Sequence, residues 1–175
     1  MQLIIDAAHF TTVVQQGMCQ ARVSIDIMTA DFKAMLVPTA MRGRAKSIVE
    51  IFRKLADKGV EIRILHAGVP SEAALLELKR ALPVGLTIRR CPRLHSKAII
   101  IDATQLYLGS ANLTGAGLGA KADGRRNFEM GIWTSDTTLI DQVSTQFNAL
   151  WEARQCPTCK RRDVCPVPLE EPRLS

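Results

Sequence analysis

Apolar and polar positions follow two rhythms along this 175-residue chain, and together they predict helices alternating with strands. Residues 7–20 bring Val13, Val14 and Met18 onto one face at helical spacing. Residues 22–28 set Val23, Ile25 and Ile27 against Ser24 and Asp26, the period-two pattern of a strand. Helical spacing returns over 45–57, where Ile48, Ile51, Phe52, Leu55 and Ala56 form a stripe and Gly59 supplies a stop. The run 60–66 predicts a strand. Pro70 and Ser71 open a helix reaching Leu82, which Pro83 and Gly85 end, and 86–91 predicts another strand.

The rhythm then changes. Residues 95–102, 105–110 and 126–134 are strand candidates joined by short or glycine-rich links. In the last of them, Asn127 and Glu129 are expected on one face, with Phe128, Met130 and Ile132 on the core face. A final helix, 136–152, carries Leu139, Ile140, Val143, Phe147 and Trp151, with Ser135 or Asp136 as its N-cap. The fold class this order predicts is α/β, with one mixed β-sheet and helices on both faces. Residues 1–153 form one domain, and 154–175 are a Cys/Arg/Pro-rich tail, ordered where something such as a metal fixes it.

Composition adds bounds. The chain is long enough to bury a core without disulfides. No apolar run approaches membrane-spanning length. The first residues lack a basic stretch followed by a long apolar one, so a cytoplasmic protein is expected. Net charge is +6, which favours a polyanionic partner, either nucleic acid or an anionic membrane surface. The loop 114–125 is glycine-rich but lacks G-x-G-x-x-G, so it argues for a flexible cover over a site rather than a nucleotide cradle.

Candidate chemistry is concentrated in three short segments. Residues 95–102 read His-Ser-Lys-Ala-Ile-Ile-Ile-Asp. On a regular strand His95 and Lys97 share a face and Asp102 takes the other. An imidazole beside an ammonium suits attack on a phosphorus whose oxygens the cation holds. Gly109-Ser110-Ala111-Asn112 follows, where small residues admit close approach and the Ser hydroxyl and Asn amide can donate to phosphate oxygens. The third segment is Asn127-Phe128-Glu129, whose carboxylate could bind the second nitrogen of His95 and set its tautomer.

H-x-K-x4-D followed by G-S-x-N resembles the signature of the phospholipase D superfamily, and His95, Lys97, Asp102, Gly109, Ser110 and Asn112 fill it. Asn127 and Glu129, and the turn Thr29-Ala30-Asp31-Phe32, also resemble that family. The order of elements follows it over roughly residues 5–152, and the motifs lie between about 91 and 131. The resemblance implies a phospholipase D-like fold and a metal-independent phosphodiesterase. His95 would be the nucleophile, forming a phosphohistidine. Lys97 and Asn112 would hold non-bridging oxygens with help from Ser110, Glu129 would orient His95, and Asp102 would be structural. Enzymes of this family use two such motifs, and this chain has one. Its other histidines, His9 and His66, stand in no H-x-K context. A homodimer that brings two His95 residues together through the active-site face is therefore expected, as in the small nuclease branch that the chain resembles. Opposite protonation states of the two imidazoles predict a bell-shaped pH–rate profile.

The substrate expected is DNA or RNA. Basic residues gather at Arg42-Arg44-Lys46, Arg89-Arg90-Arg93, Lys121-Arg125-Arg126 and Lys160-Arg161-Arg162. Of these, Arg93, Lys121, Arg125 and Arg126 are the candidate phosphate-binding residues. Sparse aromatics argue against base stacking. A phospholipid-directed phospholipase D or phosphatidyl transferase is the rival reading, and no interfacial amphipathic helix supports it. A third is a nucleic-acid-binding subunit of a larger processing or defence complex. In the tail, Cys156, Cys159 and Cys165 stand within ten residues beside Lys160, Arg161 and Arg162. With Cys91 or Cys19 as fourth ligand, they are candidates for a structural zinc or, alternatively, an iron–sulfur cluster.

Overall fold

The computed structural model of the chain describes residues 1–38, 45–80, 84–161 and 163–165. Helix end Leu82, Pro83, Arg42, Arg44 and Arg162 thus lie outside the described residues. The strands are β1 Gln2–Ile5, β2 Ser24–Thr29, β3 Leu36–Val37, β4 Lys46–Ser47, β5 Glu61–His66, β6 Leu86–Arg90, β7 Ala98–Ile101, β8 Gln105–Gly109 and β9 Met130–Thr134. The helices are α1 Ile48–Ala56, α2 Glu72–Arg80 and α3 Thr137–Trp151. Before β2 runs a wide-turned π-helical segment, Phe10–Gly17, closed by a 3-10 turn, Met18–Gln20.

Seven strands form one mixed sheet in the order β1-β9-β8-β7-β2-β5-β6. β2, β5 and β6 are parallel, and β2-β7-β8-β9-β1 pair antiparallel. This is the α/β architecture that the two rhythms predict. Parallel pairing needs a crossover, which α1 and α2 supply, whereas the later strands follow one another through turns.

Val13, Val14 and Met18 are buried with Ile48, Phe52 and Leu55 of α1 against Ile25, Ile27, Ile62, Ile64, Ile99 and Ile101, which makes one face of the core. On the other face Ile140 and Phe147 of α3 pack on Met28, Leu65, Ala98, Ile100 and Leu106. Local signals hold the helices in place. Ser47 Oγ caps α1 by accepting from Val49 N at 3.2 Å, and Asp136 Oδ1 caps α3 by accepting from Leu139 N at 2.9 Å. Gly59, at φ +90°, reverses the chain after α1, a conformation that costs glycine little.

α3 is clamped to the sheet by cations. Arg63 forks onto Asp26 at 2.7 and 2.6 Å, and its guanidinium lies 4.8 Å from the Phe147 ring centroid. Arg89 sits 4.6 Å over Trp151 and donates to its carbonyl at 2.9 Å. Arg89 is thus engaged by α3, and Arg90 donates to Ala67 O at 3.1 Å.

Several expectations are corrected. Val23 is exposed and precedes β2 instead of facing the core. Phe128 is 96% exposed and Met130 58%, so neither is on a core face. For Phe128 the reason is that β9 begins only at Met130, and Asn127–Glu129 run ahead of it as irregular chain; Met130 lies in β9, on the face left uncovered at the β1–β9 edge. The first half of the glycine-rich loop is packed, with Leu118 fully buried and a Cβ at Gly119 coming within 3.2 Å of Asp6 O, while residues 121–125 are exposed. Among the described residues, no helix is long and apolar enough to cross a membrane.

Candidate active site

β7 begins at Ala98, so His95 and Lys97 belong to the extended lead-in and not to the strand itself. Two anchors hold that lead-in. Leu94 is buried against the α3 side of the core, and Gly109 N donates to Lys97 O at 3.2 Å, prolonging the β7–β8 ladder by one step. His95 between them is exposed. Lys97 Nζ donates to His95 O at 2.8 Å and lies 3.3 Å from Nδ1 and 3.4 Å from Nε2 of the same residue. The ammonium is thus held against the imidazole, where only an unprotonated ring nitrogen can accept from it.

The Gly109–Asn112 turn is built from beneath. A Cβ at Gly109 would lie 2.6 Å from Met130 O and 2.7 Å from Gly131 Cα, so only glycine fits against β9 there. Tyr107, fully buried, accepts from Ala111 N at 2.9 Å, and burial pushes its hydroxyl up to about 12. Asn112 Oδ1 accepts from Ala30 N at 3.0 Å and Asp31 N at 3.1 Å, and Thr29 Oγ1 accepts from Leu113 N at 2.9 Å. The amide orientation of Asn112 is therefore set, with its carbonyl turned to the 29–31 turn and its NH2 carrying the donors.

Glu129 departs from its expected place. Ser110 Oγ donates to its Oε2, and Asn127 Nδ2 donates to its Oε1 at 3.1 Å. Ser110 Oγ in turn accepts from Met130 N at 3.0 Å. Within one chain each carboxylate oxygen accepts one bond, from Ser110 and from Asn127, and the polar neighbour of the His95 ring is Lys97.

Asp102 lies at the far end of β7. Its carboxylate accepts from the amides of Arg22, Val23 and Ser24, with the shortest bond, 2.7 Å, to Val23. Arg93 is exposed on the wall of a cleft of about 360 Å3 that His95 and Ser96 also line. Lys121 and Arg125 are exposed on the loop, whereas Arg126 is paired with Asp123. His9 and His66 are both fully buried. His9 Nδ1 lies 2.9 Å from Asp6 O and its ring meets Tyr107 edge-on, while His66 Nδ1 lies 2.6 Å from Gly68 O.

The tail cysteines do not assemble the metal site expected of them. Among the described residues, no group of three or more His, Cys, Asp or Glu side chains could hold a metal ion. Cys91, Cys156 and Cys159 line the cleft wall, and Arg93 and the Arg161 backbone engage the Cys159 thiol. Two positioning roles escaped the sequence reading, that of Thr29, named there only within the turn 29–32, and that of Tyr107. A threonine ending an apolar strand was the available signal for the first; the second reads as an ordinary core residue.

A fold of this kind, with one H-x-K-x4-D segment and a G-S-x-N turn meeting at the end of the antiparallel half, defines a class. The sequence matches the family model described as cardiolipin synthase, PLD-like domain, over residues 14–151, and the chain belongs to that phospholipase D-like family. Among solved structures it is similar to NucT from Helicobacter pylori, at 18% identity and a TM-score of 0.63, covering 86% of this chain and 94% of that one. Nuc from Salmonella typhimurium, a phospholipase D family member, gives 18% identity and a TM-score of 0.64 over the same shares. The archaeal chromatin protein TrmBL2 is similar at 15% identity and a TM-score of 0.51, covering 87% of this chain and 52% of that one. A comparison with curated proteins finds no match.

Proposed function

We propose that this chain is one subunit of a phosphodiesterase that cleaves nucleic acid through a phosphohistidine on His95, with its active site completed by a second copy. The observation that carries the reading is the exposed His95 ring with the Lys97 ammonium 3.3 Å from it. Lys97 and the Asn112 amide hold the non-bridging oxygens, neutralising charge that grows in the transition state. A His95 ring nitrogen attacks phosphorus, and the P–O bond to the leaving group breaks. The partner's His95 gives its proton to that oxygen. It then takes a proton from water as the water attacks phosphorus and the P–N bond breaks. Arg93, Lys121 and Arg125 bind flanking phosphates, with Arg126 joining them if Asp123 releases it.

A second copy is supported by two features. The chain's other two histidines are fully buried, so one chain offers one surface imidazole. The sheet face under α3 is also left open at the β1–β9 edge. Leu3 and Ile5 of β1 are 58% and 52% exposed, paired with Ile132 and Met130, and Ser110 N donates to Met130 O in the next row. This apolar strip, with Phe128 beside it, runs directly into the site, and a twin chain is the partner that supplies the missing imidazole there. Leu3→Asp combined with Met130→Asp should convert a dimer to a folded monomer in analytical ultracentrifugation. Turnover should drop by roughly 100-fold or more, because the second imidazole is lost.

The function is tested by incubating the protein with single- and double-stranded DNA and RNA in EDTA, then measuring a phosphate mass shift on His95. Hydrolysis with His95 phosphorylated is expected. The family model's description and the apolar strip by the site favour phosphatidyl transfer as a second reading. Turnover of phospholipid vesicles with nucleic acid left intact would select it. Identical behaviour of wild type and His95→Ala on every substrate would leave a binding subunit.

A further inference from the structure

The catalytic reading leaves the cysteines unused. Cys91, Cys156 and Cys159 line the same cleft as His95, Ser96 and Arg93. Cys159 N donates to Cys156 O at 3.1 Å, closing a turn across Pro157 and Thr158. Such a turn holds its end Cα atoms within about 7 Å, and a disulfide spans about 4.4–6.8 Å. The same turn is tied to the loop that carries His95: Arg161 Nη1 donates to Pro92 O at 3.5 Å, and Arg93 bonds the Cys159 thiol.

We propose that Cys156 and Cys159 are a peroxide-sensitive thiol pair that controls whether Arg93 is held by the tail or released to the His95 cleft. The Cys159 thiol is half-buried on the open cleft wall, one turn from Cys156, where a small oxidant reaches it and the thiolate is the attacking form. The Cys159 thiolate attacks peroxide, forming an S–O bond as the O–O bond breaks and hydroxide leaves. The Cys156 sulfur then attacks that sulfenic sulfur. An S–S bond forms, the S–O bond breaks, and the lost hydroxide and thiol proton leave as water. Both sulfurs are oxidised, and peroxide is reduced to water. The disulfide sulfur cannot ionise, so Arg93 loses its bond to the Cys159 thiol two positions from His95. The thiol chemistry stands apart from the phosphodiesterase reading; its effect on turnover rests on that reading.

The intact chain provides its own controls. Trypsin releases Gln155–Lys160, which contains both Cys156 and Cys159 and no other cysteine. Cys19 is the slow reference, since burial pushes its thiol up. Brief maleimide exposure should label Cys159 well before Cys19. After low-dose hydrogen peroxide, the Gln155–Lys160 peptide should be lighter by two hydrogens and take no maleimide. In Cys156→Ser, Cys159 should instead be captured by dimedone as sulfenic acid. Oxidised protein should bind nucleic acid with a KM lower by roughly threefold at low salt, the size of one exposed charge contact, and Arg93→Ala should erase that difference.

Equal labelling of Cys19 and Cys159, or an unchanged peptide after peroxide, overturns the thiol pair. Zinc held tightly enough to shield Cys156, Cys159 and Cys165 from maleimide overturns it as well. A disulfide that forms while KM stays the same overturns the link to Arg93. Absence of turnover in both redox states, with the disulfide formed, counts against the phosphodiesterase reading alone.

Discussion

His95→Ala is expected to remove turnover, lowering kcat by roughly 10^4-fold or more while the protein stays folded. The size follows from the role. On the proposed mechanism the P–N bond has no other partner, and in a two-fold dimer the substitution removes both the attacking ring and the ring that protonates the leaving oxygen. The fold should tolerate it. His95 is exposed, and the polar contacts of its ring run to the flexible end of Lys97. Surface changes of this kind usually cost within about 0.5 kcal/mol. Single-turnover kinetics and a thermal melt on the same preparation check both halves. A loss of turnover accompanied by a large fall in Tm would mean that His95 supports the structure instead.

Asp102→Ala is expected to do the reverse. It should cost about 2–3 kcal/mol of stability and leave kcat near wild type well below the melting temperature. Its carboxylate accepts from Arg22, Val23 and Ser24 amides at 3.0, 2.7 and 3.0 Å, and Asp102 N donates to Ser24 O at 2.9 Å. The side chain therefore clips the end of β7 to the start of β2. Asp102 and Ala103 both take positive φ, +52° each, so the clip also holds a strained turn. Much of this network is open to water, which is why the estimate stays well below that for a buried charge. His95 stands beyond the other end of β7, seven residues from Asp102, or roughly 23 Å of extended chain at 3.3 Å per residue. Urea unfolding and kcat at low temperature separate the two effects. Asp102→Asn should lose less, because one amide oxygen can still accept and Asn tolerates left-handed backbone.

The two predictions divide one sequence motif into a chemical end and a structural end. Parity along the run 95–102 pairs His95 with Lys97 and sets Asp102 apart, and that much is legible because side-chain alternation is local. What parity cannot supply is the partner of Asp102, seventy-eight or more positions earlier in the chain, at Ser24 and its neighbours. Glu129 illustrates the opposite case. Its spacing from Asn127 is legible, but its bond to Ser110 depends on β9 starting late and lying beside β8. The basic clusters divide in the same way. Composition cannot tell Arg89, stacked on Trp151, from Arg93 on the cleft wall, because the difference lies in what α3 covers.

By itself the sequence determined the alternation of helix and strand, a cap for the last helix at Ser135 or Asp136, and the pairing of imidazole with ammonium at 95 and 97. Each of these depends on hydrogen bonds or side-chain directions within a few residues. Only the tertiary structure decided that Gln2–Ile5 is an edge strand with one naked apolar face, that Tyr107 and Thr29 hold the Gly109–Asn112 turn, and that Cys156 and Cys159 line the His95 cleft, with no metal-holding group among the described residues. Those outcomes depend on which distant segments pack together, and burial and long-range pairing are properties of the assembled sheet rather than of any window of the chain.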